Sequence, residues 1–194
     1  MDGIEWKVLR PEKDDTDTES AVQTAAELGA EEIHIVGGTG SRLDHMLANV
    51  YLLGLLREEG ISAYLVDAHN RVQVIDQRTV IKRETQYGKY VSLLPFMGAV
   101  EGITLKGMKY PLEDYTLDHC HSIGISNEIT GEQAEIELRT GRLVVIEKEG
   151  RGKVTERGGR VCEFANGSNL YRGGFFLYTD GNYDGDQYSE RFWK

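Results

Sequence analysis

Ile33-His34-Ile35-Val36-Gly37-Gly38-Thr39-Gly40-Ser41-Arg42-Leu43-Asp44-His45 is the stretch on which the architecture turns. Its first four residues read as a short buried strand, its glycines as a turn, and the residues from Arg42 onward as a helix start. Downstream, Leu43, Met46, Leu47, Val50, Leu53 and Leu56 recur at helical intervals, which predicts a helix over 42–58. Ala63-Tyr64-Leu65-Val66 is the next strand. Upstream, Ala21, Val22, Ala25 and Leu28 fall on one face of a helix over 19–28, with Gly29 as its stop. Helices and strands that alternate through short links specify a parallel α/β unit.

Beyond residue 70 the period changes from 3.6 to 2. Val72-Gln73-Val74-Ile75, Tyr90-Val91-Ser92-Leu93-Leu94, Gly102-Ile103-Thr104-Leu105, Ala134-Glu135-Ile136-Glu137-Leu138 and Leu143-Val144-Val145-Ile146 read as strands. Glycine turns at Lys106-Gly107 and Thr140-Gly141 separate some of them. The expected fold class is therefore α/β followed by all-β: a partial parallel-sheet domain over 1–68, then a small β-sandwich over 69–149. Residues 150–194, rich in Gly, Tyr, Arg and Asp, form a tail of no assigned role, in which Phe175-Phe176-Leu177-Tyr178 reads as a strand.

With 22 Lys+Arg against 32 Asp+Glu, the 194-residue chain carries a net charge of −10. Such a balance argues against non-specific nucleic-acid binding, which needs a basic surface. An acidic protein handling ATP would need a divalent metal between its carboxylates and the phosphates. No apolar run approaches the roughly 20 residues that cross a bilayer, so no membrane partner is expected. Met1-Asp2-Gly3-Ile4-Glu5-Trp6 has neither part of a signal peptide. Cys120 and Cys162 form no CxxC pair, which suits a reducing cytoplasm.

Three constellations could carry chemistry. Lys13-Asp14-Asp15-Thr16-Asp17 precedes the first helix, where Asp and Thr serve as caps and acids favour the helix dipole. A cap needs one side chain, however, and three neighbouring carboxylates repel unless a cation sits between them. Mg²⁺ commonly takes one or two carboxylates, with waters and phosphates completing its shell. In the glycine turn, backbone N–H groups at a helix start attract anions, although neither Gly-Lys-Ser/Thr nor GxGxxG is present. Arg42 could clamp phosphate while Asp44 binds metal or accepts a proton, or the two could be a surface pair. Ser126-Asn127, inside Gly124-Ile125-Ser126-Asn127-Glu128-Ile129, offers a donor and an acceptor to a heteroaromatic ring, or forms a turn. Asp180-Gly181-Asn182-Tyr183-Asp184-Gly185-Asp186 opens like a calcium loop but has Arg191 where the loop needs Glu. His119-Cys120-His121 lacks a second pair of zinc ligands.

Pro11-Glu12-Lys13-Asp14-Asp15-Thr16-Asp17-Thr18-Glu19, Gly40-Ser41-Arg42-Leu43-Asp44-His45 with Ala48-Asn49, Lys109-Tyr110-Pro111-Leu112 and Gly124-Ile125-Ser126-Asn127-Glu128 occur in that order. Together they resemble the bacterial thiamine diphosphokinase (thiamine pyrophosphokinase) family. The resemblance implies an α/β nucleotide-binding domain, a β-sandwich that takes thiamine, and a homodimer with the vitamin near its interface. It implies transfer of diphosphate from ATP to the thiamine hydroxyl, leaving AMP, with Mg²⁺ at Asp17 and Asp44. Arg42, Lys13, Asp14, Thr16 and Gly40 would surround the nucleotide. Ser126 and Asn127 would meet thiamine, with Glu128 and His45 nearby. Family members also carry an earlier strand–helix–strand segment ending in Gly-Asp-Xaa-Asp-Ser. Only about ten residues precede Pro11 here, so the resemblance implies an N-terminally truncated member. Its alternative form is a catalytically dead remnant that still binds thiamine.

Overall fold

A computed structural model of the chain describes residues 16–40, 42–118 and 122–149, together with the backbone of 174–178 and 191–193. The chain forms two compact units, Met1–Ala68 with Glu156–Lys194, and His69–Thr155. In order, the described elements are α1 (Asp17–Glu27), β1 (Glu32–Val36), α2 (Leu43–Glu58), β2 (Ser62–Val66), β3 (Asn70–Ile75), β4 (Thr79–Lys82), β5 (Tyr90–Pro95) and β6 (Val100–Lys106). Then follow β7 (Leu112–Leu117), β8 (Asn127–Glu128), β9 (Gln133–Glu137), β10 (Leu143–Lys148), β11 (Gly174–Tyr178) and β12 (Arg191–Trp193). No described helix is long and apolar enough to cross a membrane.

In the first unit β1 and β2 run parallel, Glu32 opposite Ser62 and Val36 opposite Val66. Alternation buries Ile33 and Ile35 from β1 and Ala63 and Leu65 from β2. The other edge of β1 carries β11, also parallel, with Glu32 opposite Gly174. Strand β12 then pairs antiparallel with β11. Strand β11 thus covers the edge of β1 that β2 leaves open.

Helix α1 starts where Thr16 caps it, its hydroxyl accepting from the Glu19 N–H at 3.1 Å. It ends at Gly29, whose φ of +83° suits the left-handed turn that closes a helix. Leu28 lies at the cap itself and is 53% exposed. The stripe that marks α2 in sequence is only partly buried: Leu53 and Leu56 are inside, whereas Leu43 and Leu47 join Tyr51 and Leu55 on the surface. The physical reason is that α2 is apolar around most of its circumference, so periodicity selects no single face. A polar residue marks the inner face instead. Asn49, 5% exposed, donates its amide to the Gly38 carbonyl at 2.8 Å.

The second unit is a β-sandwich. One antiparallel sheet has the order β3-β10-β5-β8 and the other β4-β9-β6-β7. Val91, Leu93, Leu143 and Val145 from the first meet Ile103, Leu105, Leu117 and Ile136 from the second in one core. Each of the five strands expected here is present. Strands β4, β7 and β8 were not expected. In β7, Asp114 at φ 45° and register shifts against β6 break the period-2 signal, and β8 has two residues. Glu147 of β10 is fully buried and ionically held: Arg71 of β3 donates from Nη2 at 2.7 Å and Nε at 2.9 Å, and the Tyr87 N–H donates at 2.9 Å.

Candidate functional site

The first unit concentrates its polar candidates at helix starts. Asp17 lies in the first turn of α1 and Asp44 in the first turn of α2. Because α2 leaves the carboxyl end of β1, and α1 enters β1 at its amino end, this connectivity directs both helix starts to the carboxyl edge of the parallel strands. Gly37 supplies a φ of +83°. At Gly38 a Cβ would stand 2.7 Å from a Leu65 methyl and 2.8 Å from the Asn49 amide, so the turn packs against β2 and α2 only because that residue is glycine. Gly40 is exposed, with nothing within 4 Å of a Cβ there. His45 is exposed in the same first turn of α2.

Arg42 and Asp44 face each other fork to fork. Nη2 donates to Oδ2 at 2.6 Å and Nε to Oδ1 at 3.2 Å, with side chains 50% and 65% exposed. Hydrogen bonding from Arg42 lowers the Asp44 carboxyl to about 2. It is therefore an ionised acceptor at neutral pH. Lys13, Asp14 and Ser41 lie outside the described residues, as do His119-Cys120-His121 and the 180–186 loop. Among the described residues no three His, Cys, Asp or Glu side chains gather into a metal cage. Asn49 is legible in the sequence as a single amide within an apolar helix, a signal that hydrophobic spacing does not capture.

In the second unit an open cavity of about 470 Å³ is lined by Lys109, Tyr110, Pro111, Ile123, Ile125 and Asn127, among others. The loop 122–126 presses onto β5: a Cβ at Gly124 would lie 2.4 Å from the Leu93 carbonyl oxygen, and the Leu93 N–H donates to the Gly124 carbonyl at 2.8 Å. Ser126 takes φ +60° and donates its N–H to the Ser92 hydroxyl at 3.0 Å. Its own hydroxyl makes no hydrogen bond with the described residues.

Asn127 is 4% exposed. Its Oδ1 accepts from the Tyr110 N–H at 3.0 Å and the Glu128 N–H at 2.9 Å, and its Nδ2 donates to the Tyr110 carbonyl at 2.8 Å. Glu128 bridges two lysines, Lys109 at 2.8 Å and Lys89 at 3.2 Å, and the hydrogen bond from Lys109 is the main cause of its lowered pKa. Tyr110 and the two isoleucines of the cavity wall had no role on sequence grounds. They sit on motif loops, where burial cannot be judged from periodicity.

Residues 2–65 match the family model described as thiamin pyrophosphokinase, catalytic domain, and residues 78–143 match thiamin pyrophosphokinase, vitamin B1 binding domain. A Bacillus subtilis protein named thiamine pyrophosphokinase is 32% identical over 139 residues, which cover 72% of this chain and 65% of that one. The crystal structure of thiamine pyrophosphokinase from Bacillus subtilis superposes with a TM-score of 0.68 at 31% identity, over 72% of this chain and 65% of the other. A thiamin pyrophosphokinase family protein from Enterococcus faecalis gives 0.65 at 30% identity, over 74% and 68%. The chain thus spans 65% of the length of its Bacillus relative. Both units, in the same order as the two matched models, place this chain in the thiamin pyrophosphokinase family.

Proposed function

We propose that the chain is a thiamine diphosphokinase, moving a diphosphate from ATP to the hydroxyl of thiamine. The thiamine hydroxyl oxygen bonds to the β-phosphorus and releases its proton to water, the bond from that phosphorus to the α-phosphate oxygen breaks, and AMP leaves with that oxygen. The observation that carries this reading is the pairing, in one chain, of an α/β unit bearing two first-turn carboxylates with a sandwich bearing an open cavity beside Ser126.

The α/β unit is the nucleotide's. Helix starts and the glycine turn suit phosphates, and Arg42 suits charge on the transferred group. The donor set fits magnesium: two carboxylates in helix first turns suit an ion that keeps phosphate and water ligands. Asp17 and Asp44 would hold it, and Lys13, Asp14, Thr16 and Gly40 would border the nucleotide. When bound, the ion supplies charge neutralisation on the phosphates. A carboxyl lowered to about 2 is a weak proton acceptor, so Asp44 suits metal binding better than general base work.

Thiamine goes to the sandwich, its rings against Tyr110, Ile123 and Ile125, with the Ser126 hydroxyl available to hydrogen bond. A homodimer belongs to this reading, supported by the exposed apolar stripe Leu43, Leu47, Tyr51 and Leu55. Assay of thiamine-dependent AMP formation tests the whole. Asp17→Ala and Asp44→Ala each lower turnover by about a hundredfold. Near wild-type AMP production by both variants removes these roles, and thiamine binding by the unaltered chain without AMP production removes the activity.

A further inference from the structure

The two residues of the Ser126-Asn127 pair divide their work. We propose that Asn127 is a positioning residue: its amide clamps the backbone of Tyr110 and so sets the aromatic wall of the cavity, without itself reaching a ligand. This rests on the reading of that cavity as the thiamine site.

An asparagine amide can accept two hydrogen bonds and donate two. Here Oδ1 takes both of its bonds from backbone N–H groups, those of Tyr110 and Glu128. Nδ2 gives one proton to the Tyr110 carbonyl and approaches the Met108 sulfur at 3.6 Å with the other. The inventory is full. The orientation follows from the partners, since a flipped amide would set NH₂ against two N–H donors. Asn127 lines the cavity, but at 4% exposure its side chain offers little surface there.

The segment held in this way is also tied to the same strand through its backbone, the Lys109 N–H donating to the Glu128 carbonyl at 2.9 Å. Tyr110 itself is 57% exposed, so its ring is not fixed by core packing. Lys109 hangs above that ring at 5.5 Å from its centre while bonded to Glu128. Residues 127 and 128 therefore grip residues 109 and 110 through both main chain and side chain. Ser126 lies in sequence between Ile125 and Asn127 of the cavity wall, and its hydroxyl, which makes no hydrogen bond with the described residues, is left as the group of the pair that can bond a ligand.

Two measurements on the full chain test the clamp. The first needs no ligand: hydrogen exchange at the Tyr110 amide, with the Val145 amide of β10 reporting the integrity of the fold. Asn127→Ala accelerates exchange at Tyr110 by about tenfold or more and leaves Val145 protected. Asn127→Asp, which keeps both acceptors and loses the donor to the Tyr110 carbonyl, gives an intermediate rate and serves if the alanine variant fails to fold. Unchanged exchange at Tyr110 in a folded variant overturns the proposal.

The second is a double-mutant cycle read by calorimetry with thiamine. Asn127→Ala weakens binding by about tenfold in the natural background and by less than about twofold when Tyr110→Ala is already present. Equal losses in both backgrounds overturn the proposal, because they mean that Asn127 meets the vitamin directly. If the unaltered chain binds no thiamine while exchange at Tyr110 responds as described, the thiamine reading fails and the clamp stands.

Discussion

Asp44 in the α/β unit and Asn127 in the sandwich are each held by at least two hydrogen bonds, yet the Asp44 side chain is 65% exposed and Asn127 is 4% exposed. The difference decides what each can do. An exposed ion pair contributes about 0–1 kcal/mol, since water replaces either partner readily. Under the proposed function, Arg42 and Asp44 would therefore part around an incoming metal and phosphate at small expense. A buried amide that loses its partners is left unsatisfied, at about 1–3 kcal/mol. On that proposal the sandwich site would be built before its ligand arrives, whereas the α/β site would be completed by its ligand.

The largest expected effect comes from carrying this contrast to charge. Glu147→Ala, which strips Arg71 and the Tyr87 N–H of a fully buried partner, destabilises the fold by about 3–4 kcal/mol in urea unfolding. Arg42→Ala, which breaks an exposed pair, changes stability by less than about 0.5 kcal/mol. Similar losses for the two variants would erase the distinction between the units.

A smaller effect sharpens it within the sandwich. Glu128, bonded to Lys109 and Lys89, titrates below its ordinary 4.5. A carboxyl lowered in the folded state adds stability above its unfolded pKa, and that stability is lost as pH falls from about 4.5 through the folded value. Lys109→Met moves the Glu128 midpoint, followed by carboxyl NMR, back toward 4.5 while the fold persists. A midpoint that stays put would show that this surface pair does not govern the charge.

Legibility in the sequence followed the same division. Strands with strict alternation, such as Ala134 to Leu138, were readable because one face of each is buried. The α/β unit was readable from two helices and a glycine turn, and residue type narrowed the cap to the Asp and Thr residues before the helix, of which the structure uses Thr16. The inner face of α2 was not, because an almost wholly apolar helix gives no contrast, and only Asn49 marked it. Strand β7 was hidden by Asp114 at positive φ. The Ser126-Asn127 motif was visible, but the split of labour inside it depends on Tyr110, 17 positions away, whose backbone no local pattern brings to Asn127. Pairing of β11 with β1 is likewise a contact between distant segments.

The central claim is that the nucleotide and the vitamin are handled by different units, one through exposed carboxylates and the other through a prebuilt cavity. Calorimetry on Asp44→Ala with each ligand tests it most directly. The account predicts that Mg–ATP affinity falls by about tenfold or more while thiamine affinity stays within about twofold of the unaltered chain. A parallel loss of thiamine affinity, or unchanged Mg–ATP affinity, would contradict it.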